Sequence, residues 1–432
     1  MRVLMFGWEF PPHISGGLGT ASYGLTKGMS TLEDLDVIFV VPKAWGDENQ
    51  TKVRLIGANN VPVAFKQVHY KGFRRPLEQI EISSRIVPYT DPEEFWERIS
   101  SESSGYKLVV QTNKEGTIDF SGKYGCELMD EIYKYSVVAS VIAEENEFDI
   151  IHAHDWLAYP AGIAAMEVSG KPLVIHVHAT DFDRSGGNVN PDVYRIEKLG
   201  MDAASKIITV SNLTRDIVIN KYNIDPEKVE TVYNAVEPVK MARDATLKKG
   251  FDEKVVTFLG RITLQKGPEY FIEAAYKVLK VMPNVRFVMA GSGDMMERMI
   301  RRAAALNITD RFHFTGFLKG KDVFTMLKMS DVYIMPSVSE PFGISPLEAM
   351  QSNVPVIISK QSGVSEILTH AVKTDFWDID AMADAIYGIL NYPALSKMFI
   401  KNGKEEVVRL KWDNSARHVR DIYYRVIWQN KK

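Results

Sequence analysis

The chain is short of cysteine, has no surplus of positive charge and lacks any long apolar run. Cys126 is the only cysteine among 432 residues, which excludes an internal disulfide and a cysteine-rich zinc site and indicates a reducing compartment. Its 52 basic and 55 acidic residues give a formal net charge of -3, so no basic excess exists to neutralise a nucleic acid backbone. No uninterrupted apolar stretch approaches the roughly 20 residues that cross a bilayer. We therefore expect a cytoplasmic protein with no nucleic acid partner and no integral membrane segment.

What is present is the composition of a globular α/β protein. Hydrophobic residues make up 45% of the chain and charged residues 25%, and the length suits two domains of roughly 200 residues each. Short β-branched runs alternate with amphipathic stretches, the pattern of βα units that build a parallel sheet. The predicted strands are 2–10, 36–41, 148–153, 172–177 and 206–210 in a first series, and 255–259, 285–290, 312–315, 332–335 and 355–359 in a second.

The two series of strands predict a first domain over 1–237 and a second over 238–413. Residues 52–125 are less regular and indicate an insertion that carries extra strands or a hairpin. The linker is placed at 236–252, where Pro238 and Gly250 accompany many charges and little apolar content. Residues 414–432 have an apolar stripe at helical spacing. This last helix either packs on the second domain or crosses back to the first.

A glycine-rich segment follows the first predicted strand. Gly16, Gly17 and Gly19 precede a helix, whose free amides and positive end suit a phosphate. The alternative is a strand-to-helix turn without a ligand. A dinucleotide-binding fingerprint is excluded, because Ser22 stands at its third glycine position and Lys43 ends the second strand where an acidic residue should hold the ribose.

Charged residues follow two strands of the second series. Arg261 and Lys266 lie in one loop and could neutralise a departing diphosphate, although such a pair alone is often only solvated. Glu348 has a structural explanation as the third position of a helix capped by Ser345. Glu340 has no such explanation, and its place at the carboxyl end of a strand makes it a functional candidate.

Two H-x-H pairs mark the ends of two strands of the first series, His152 with His154 and His176 with His178. Within each pair both side chains point to one face of the strand. We expect no metal site here, because no third and fourth ligand type is spaced with them and histidines at strand ends commonly make local hydrogen bonds.

These motifs resemble the retaining glycosyltransferases of the GT-B fold over nearly the whole chain. The resemblance rests on Arg261 and Lys266, on the E-x7-E arrangement of Glu340 and Glu348, on "GGLG" at 16–19 and on "HAHDW" at 152–156. Within that group the chain is similar to the glycogen and starch synthases and to glycosyltransferase family 4. The resemblance implies two doubly wound Rossmann-like domains that face a central cleft, with the acceptor on the side of the first domain.

The resemblance also implies roles for individual residues. Arg261 and Lys266 would stabilise the leaving diphosphate, and Glu340 and His178 would lie beside the donor sugar as catalytic residues. Asp155 would face the acceptor. The implied donor-binding residues are Gly17, Leu18, Gly291, Ser292, Phe317, Gly343, Ile344 and Glu348.

No cofactor and no metal are expected, because two cations already supply positive charge at the diphosphate. Asp181 and Asp183 resemble the D-x-D motif of metal-dependent glycosyltransferases, but that motif belongs to a different fold. The segment "YKGFRR" at 70–75 is a candidate surface acceptor site, with a solvated loop as the alternative.

The expected activity is transfer of glucose from ADP-glucose or UDP-glucose to an α-1,4-glucan, as in glycogen biosynthesis. The first alternative is a family 4 enzyme that acts on a lipid, a small sugar or a surface polysaccharide, since Ile14 and Ser15 stand where bacterial glycogen synthases carry a lysine and since Glu348 is present. A glucan phosphorylase is disfavoured by the chain length. A catalytically inactive protein that binds a sugar nucleotide or a glycan is disfavoured, because Arg261, Lys266 and Glu340 are all present. The base, sugar, linkage and oligomeric state are left open.

Overall fold

The computed structural model describes residues 1–14, 16–48, 53–63, 113, 116–125, 127–238 and 249–430. Its secondary structure is built around two parallel sheets. The "YKGFRR" segment, Cys126 and most of the predicted insertion lie outside the described residues.

The first sheet has seven parallel strands in the order β3-β2-β1-β4-β5-β6-β7. Its strands are β1 (Arg2–Phe6), β2 (Asp36–Val41), β3 (Arg54–Gly57), β4 (Ile150–His154), β5 (Leu173–Val177), β6 (Lys206–Thr209) and β7 (Val229–Thr231). The helices that accompany it are α1 (Gly17–Met29), α2 (Leu128–Glu145), α3 (Tyr159–Ser169), α4 (Asp181–Ser185), α5 (Pro191–Ala203) and α6 (Asn212–Tyr222).

The second sheet has six parallel strands in the order β10-β9-β8-β11-β12-β13. Its strands are β8 (Lys254–Leu259), β9 (Val285–Ala290), β10 (Phe312–Gly316), β11 (Val332–Met335), β12 (Val356–Ser359) and β13 (Val372–Thr374). The helices are α7 (Pro268–Val281), α8 (Met296–Ala305), α9 (Lys321–Met329), α10 (Ser345–Gln351), α11 (Ile379–Asn391), α12 (Pro393–Val407) and α13 (Trp412–Asn430). Short 3₁₀ turns occupy Ala58–Asn60, Pro226–Lys228, Leu264–Lys266, Thr309–Arg311 and Gly363–Glu366.

The expectation of two doubly wound Rossmann-like domains is confirmed by this topology. In each sheet the strand order reverses at one point, between β1 and β4 and between β8 and β11, as in open doubly wound folds. All ten predicted strands are present, but the first ends at Phe6 rather than residue 10. The strands β7 and β13 were not predicted, because three residues carry too little periodicity, and β3 lies in the segment that was expected to carry extra strands.

The last helix lies against the layer that covers the first sheet. Residues of α13, including Trp412 and Tyr423, share one apolar cluster with β1, β2 and α1. A Cβ atom on Gly24 of α1 would lie only 2.3 Å from the Trp412 ring, so glycine is needed for this approach. The domain boundaries at 237/238 and 413/414 stay predictions.

Within the described ranges, no helix is both long enough and apolar enough to span a membrane.

Candidate active site

Candidate residues gather at the carboxyl ends of the strands on either side of each order reversal. In the first sheet, β1 leads to the glycine segment and β4 ends at His154. In the second sheet, β8 leads to Arg261 and β11 leads to Glu340. Open parallel sheets bind ligands in the crevice outside these strand ends. The sequence therefore places its charged loops where the fold offers a binding crevice.

Lys266 and Glu340 form an ion pair between two of these loops. The Lys266 ammonium donates to Glu340 Oε2, and the carboxylate of Glu340 is buried. Ser337 Oγ donates to the same oxygen at 3.4 Å. The backbone holds the loops together, since Val338 N donates to Gln265 O at 2.9 Å. A buried carboxylate is stabilised here by a cation that can also reach an anionic ligand.

Arg261 lies in the same loop but does not join that ion pair. Its guanidinium is exposed and donates to Gln265 Oε1 at 3.4 Å. The following residue, Ile262, donates its backbone N–H to Ser292 O at 2.9 Å. The structure therefore brings the Arg261 loop beside the Ser292 loop and leaves the guanidinium available to a ligand.

The Gly291 and Phe317 loops also meet, because Gly291 N donates to Gly316 O at 2.9 Å. Gly291 has φ of +142°, and a Cβ atom there would lie 1.8 Å from Gly260 O. Only glycine allows this backbone approach. Phe317 is 53% exposed, and the Lys319 ammonium lies over its ring, 5.6 Å from the centroid. An exposed aromatic side chain of this kind can stack against a base.

Gly343 and Ile344 lead into α10, which carries Glu348. Ile344 packs against apolar clusters of both sheets. Burial raises the pKa of the Glu348 carboxyl to about 7. The predicted Ser345 cap with Glu348 reaching back is wrong: Ile344 is the N-cap residue, no side chain caps the helix, and Ser345 Oγ bonds the Tyr333 hydroxyl at 2.8 Å. Glu348 therefore does not have the capping role that the sequence predicted.

The glycine segment opens α1 with exposed backbone. The helix begins at Gly17 with Gly16 as N-cap, without a side-chain cap and without an acidic residue in its first turn. A Cβ atom on Gly16 or Gly17 would meet nothing within 4 Å, so there is room in front of the amides. Gly17 and Leu18 thus present a helix N-terminus of the kind that binds phosphate.

His178 follows β5, and its Nε2 lies 2.9 Å from His154 Nδ1. Burial and the nearby Arg184 guanidinium lower the pKa of His178 to about 3. Burial also lowers the pKa of His152 to about 3 and that of His154 and His176 well below the usual histidine value. All four imidazoles are therefore neutral near pH 7 and can donate or accept a hydrogen bond.

Asp155 is held in an unusual backbone conformation, with φ of 61°. Its Oδ2 accepts a hydrogen bond from Arg184 at 2.9 Å, and Arg184 also donates to Glu197 Oε1 at 3.1 Å. Burial raises the pKa of Asp155, and the arginine partly offsets this. Asp155 Oδ1 is buried and has no partner among the described residues. A strained residue with an unsatisfied oxygen is a mark of a functional position.

A direct hydrogen bond joins the two halves beside these residues. Ser339 Oγ, next to Glu340, donates to Asp183 Oδ1 at 2.5 Å. Asp183 Oδ2 also accepts from Thr180 N and Thr180 Oγ1, each at 2.8 Å, and caps α4. The loop that carries Glu340 is thus tied to the segment that follows His178.

Sequence reasoning missed several members of this site. Arg184 and Ser339 were not identified, although Arg184 directly follows the D-x-D motif of Asp181 and Asp183. Asp183 was considered only as part of a metal motif. Thr263 Oγ1, between Arg261 and Lys266, is buried without a partner among the described residues, and no sequence signal distinguishes it from any other loop threonine.

Two glycosyltransferase family models match different halves of the chain. The model of "Glycosyl transferases group 1" matches residues 242–406, and that of "Glycosyltransferase Family 4" matches residues 130–240. An uncharacterised glycosyltransferase of Methanocaldococcus jannaschii is 27% identical over 98% of both chains. A glycogen synthase of Mycobacterium tuberculosis is 21% identical over 98% of this chain and 94% of its own.

Similarity extends to another named transferase and to solved structures. A UDP-Gal:alpha-D-GlcNAc-diphosphoundecaprenol alpha-1,3-galactosyltransferase of Escherichia coli is 27% identical over 62% of this chain and 72% of its own. The structure of sucrose-phosphate synthase from Thermosynechococcus elongatus superimposes with a TM-score of 0.71 at 17% identity, covering 99% of both chains. That of Anabaena HepE in complex with UDP-glucose gives 0.66 at 15% identity, covering 98% of this chain and 99% of its own. Both halves of the chain therefore match glycosyltransferase families, and its fold is the GT-B fold.

Proposed function

We propose that this glycosyltransferase is a retaining hexosyltransferase that moves glucose from ADP-glucose or UDP-glucose to an α-1,4-glucan. The observation that carries the proposal is the Lys266–Glu340 ion pair at the carboxyl end of the second sheet. The hydrogen bond from Ser339 to Asp183 ties that pair to the segment after His178 in the first half. We propose that the cationic, anionic and neutral polar groups of both halves act together on one bound donor.

Electrostatics would drive the departure of the nucleotide diphosphate. The Lys266 ammonium has three donors, so it can keep one on Glu340 and offer another to a phosphate oxygen. Arg261, exposed in the same loop, and the amides of Gly17 and Leu18 would take the remaining phosphate charge. With this positive charge in place, we propose that the reaction needs no metal ion at the diphosphate.

Transfer with retention places the attacking hydroxyl and the leaving diphosphate on the same face of the sugar. The bond from the anomeric carbon to the diphosphate oxygen breaks, the bond to the acceptor oxygen forms, and the acceptor proton passes to the departing phosphate. No protein nucleophile is required. Glu340 would stabilise positive charge that develops on the sugar, and neutral His178 would orient it through a hydrogen bond.

Similar proteins support both the leading substrate and its rival. Similarity to a glycogen synthase over nearly the whole of both chains favours a glucan acceptor, and the fold shared with a protein bound to UDP-glucose favours that class of donor. Similarity to the galactosyltransferase that acts on alpha-D-GlcNAc-diphosphoundecaprenol instead favours a family 4 enzyme with a different acceptor. Asp155, whose Oδ1 is unpaired, is our proposed acceptor-side residue in either case.

The test is a panel of nucleotide sugars offered with glycogen, with lipid and small-sugar acceptors or with no acceptor, in buffers that contain and lack Mg²⁺. Donor binding and nucleotide diphosphate release are measured for the wild-type protein and for Lys266→Ala. We expect glycogen-dependent release from one glucose donor, unchanged without Mg²⁺, and an α-linked product by NMR. Release only with a lipid or small-sugar acceptor would favour the family 4 alternative, and a β-linked product would refute retention. Donor binding without turnover on any acceptor would indicate a catalytically inactive binding protein.

A further inference from the structure

Four imidazoles form a buried array beneath the candidate active site. His152 and His154 lie on β4, and His154 is directly opposite His176 on β5. The rings of His152, His154 and His176 stack with centroids 4.3–5.5 Å apart. These three side chains are at most 2% exposed. The two H-x-H pairs, which the sequence shows separately, are thus one cluster in the fold.

The hydrogen bonds of this cluster leave particular nitrogens free. His152 Nδ1 lies 2.5 Å from the Tyr423 hydroxyl of α13, and His154 Nδ1 lies 2.9 Å from His178 Nε2. Among the described residues, Nε2 of His152 and Nε2 of His154 have no partner, and neither ring nitrogen of His176 has one. Buried polar atoms without partners are uncommon and require an explanation.

That pattern matches the outer contacts of metal-binding histidines. A ligating histidine commonly donates its second ring N–H to an oxygen or another acceptor, which fixes the tautomer and leaves the opposite nitrogen for the metal. For His152 the outer partner would be Tyr423, and for His154 it would be His178. His176 can offer either nitrogen.

We propose that His152, His154 and His176 bind one transition-metal ion of the Zn²⁺ class, at a site separate from the diphosphate. Their candidate ligand atoms lie within 4.8 Å of one another, and a tetrahedral site with bonds of 2.0–2.1 Å needs nitrogens about 3.4 Å apart. Binding would therefore require the rings to turn about their second torsions, which are soft in histidine. This inference departs from the sequence-based expectation of no metal, because the third ligand comes from the neighbouring strand rather than from the same motif.

The donor set restricts the class of ion. Three neutral imidazoles and no carboxylate in the cluster suit Zn²⁺, Co²⁺, Ni²⁺ or Cu²⁺, whereas Mg²⁺ and Ca²⁺ require oxygen ligands. With the ion on His154 Nε2, the Nδ1 proton of His154 points to His178 Nε2. His178 would then carry its own proton on Nδ1, so the metal would set which hydrogen bond His178 offers to a ligand. His178 is not a ligand of this site, but the metal would fix which of its ring nitrogens carries the proton.

The experiment uses the full chain without an affinity tag, stripped with a chelator and titrated with Co²⁺. We expect one Co²⁺ per chain by elemental analysis and the visible absorption of tetrahedral Co²⁺. His176→Leu fills the space of a ligand and should abolish stoichiometric binding. Tyr423→Phe removes only the outer partner of His152 and should weaken binding about 10- to 100-fold. His313→Leu, at an exposed position of β10, is the matched control and should bind as the wild type does.

Circular dichroism and a melting curve establish that each variant is folded. A folded wild-type protein that takes up no Co²⁺ or Zn²⁺ would overturn the proposal, as would full tetrahedral binding in His176→Leu. Should His176→Leu fail to fold, Tyr423→Phe decides, because unchanged affinity in that variant contradicts the assigned outer contact. The readout is metal content, so loss of transferase activity cannot be mistaken for failure of this site.

Discussion

Replacing Glu348 with glutamine should make the protein more stable at alkaline pH. Burial raises the pKa of this carboxyl from its usual 4.5 to about 7. The folded protein therefore keeps the proton to about pH 7, whereas the unfolded chain loses it near 4.5. The protonated Glu348 carboxyl contributes fully to the free energy of unfolding below pH 4.5, and this contribution is lost as the pH rises to 7. Above pH 7 the wild type retains a buried charge that Glu348→Gln lacks.

The size of the effect follows from the pKa shift. One pKa unit corresponds to about 1.4 kcal/mol. Ionisation of the buried Glu348 carboxyl therefore lowers the free energy of unfolding of the wild type by about 3 kcal/mol above pH 8. At pH 5 only about 0.8 kcal/mol of it is present. We therefore expect the stability gain of Glu348→Gln to be about 2 kcal/mol larger at pH 8 than at pH 5.

Urea unfolding at pH 5 and pH 8 measures this difference, with the wild type and Glu348→Gln compared at each pH. Comparison of the two proteins cancels other titrating groups, including Glu197, whose pKa burial also raises to about 7. Glu405→Gln, at an exposed position of α12, serves as the control and should show no pH-dependent gain. An equal gain at both pH values would refute the reasoning, since it would mean that Glu348 is already ionised at pH 5.

Three further predictions follow from contacts in the structure. Lys266→Ala should lower turnover about 100-fold, as for loss of one preorganised charge donor, in steady-state assays with the identified donor; near-normal turnover would contradict its role. Arg184→Ala should cost about 3–5 kcal/mol in urea unfolding, because it leaves the buried Asp155 carboxylate without its cation; a loss below 1 kcal/mol would contradict this. Gly24→Ala should cost about 1–3 kcal/mol by overpacking against Trp412, and an unchanged melting temperature would show that α13 can shift.

Much of the fold could be predicted from sequence, because buried parallel strands read as continuous β-branched runs. The strand at Val285–Ala290 was placed with its correct ends for this reason. Strands of three residues such as Val229–Thr231 carry no such signal, and their hydrogen bonds to a neighbouring strand define them. Pattern alone therefore finds the centre of each sheet better than its edges.

The candidate site was only partly accessible to the same reasoning. Glu340 lies in the loop after β11, as its position after a predicted strand indicated, but its contact with Lys266, 74 residues earlier, depends on the tertiary fold. For Ser345 the local sequence gave a wrong prediction. The residues around it have the signature of a helix cap, yet its hydroxyl bonds Tyr333 on β11, because a partner in the folded core replaces the local one.

The position of α13 has a consequence for synthesis of the chain. The apolar cluster on one face of the first sheet contains Val3 and Met5 from the start of the chain and Trp412, Ala416 and Val426 from its last helix. A ribosome makes the residues of β1 long before those of α13. One apolar face of the first half therefore stays uncovered until the second half has been synthesised. A chaperone that covers that face during elongation would raise the yield of folded protein.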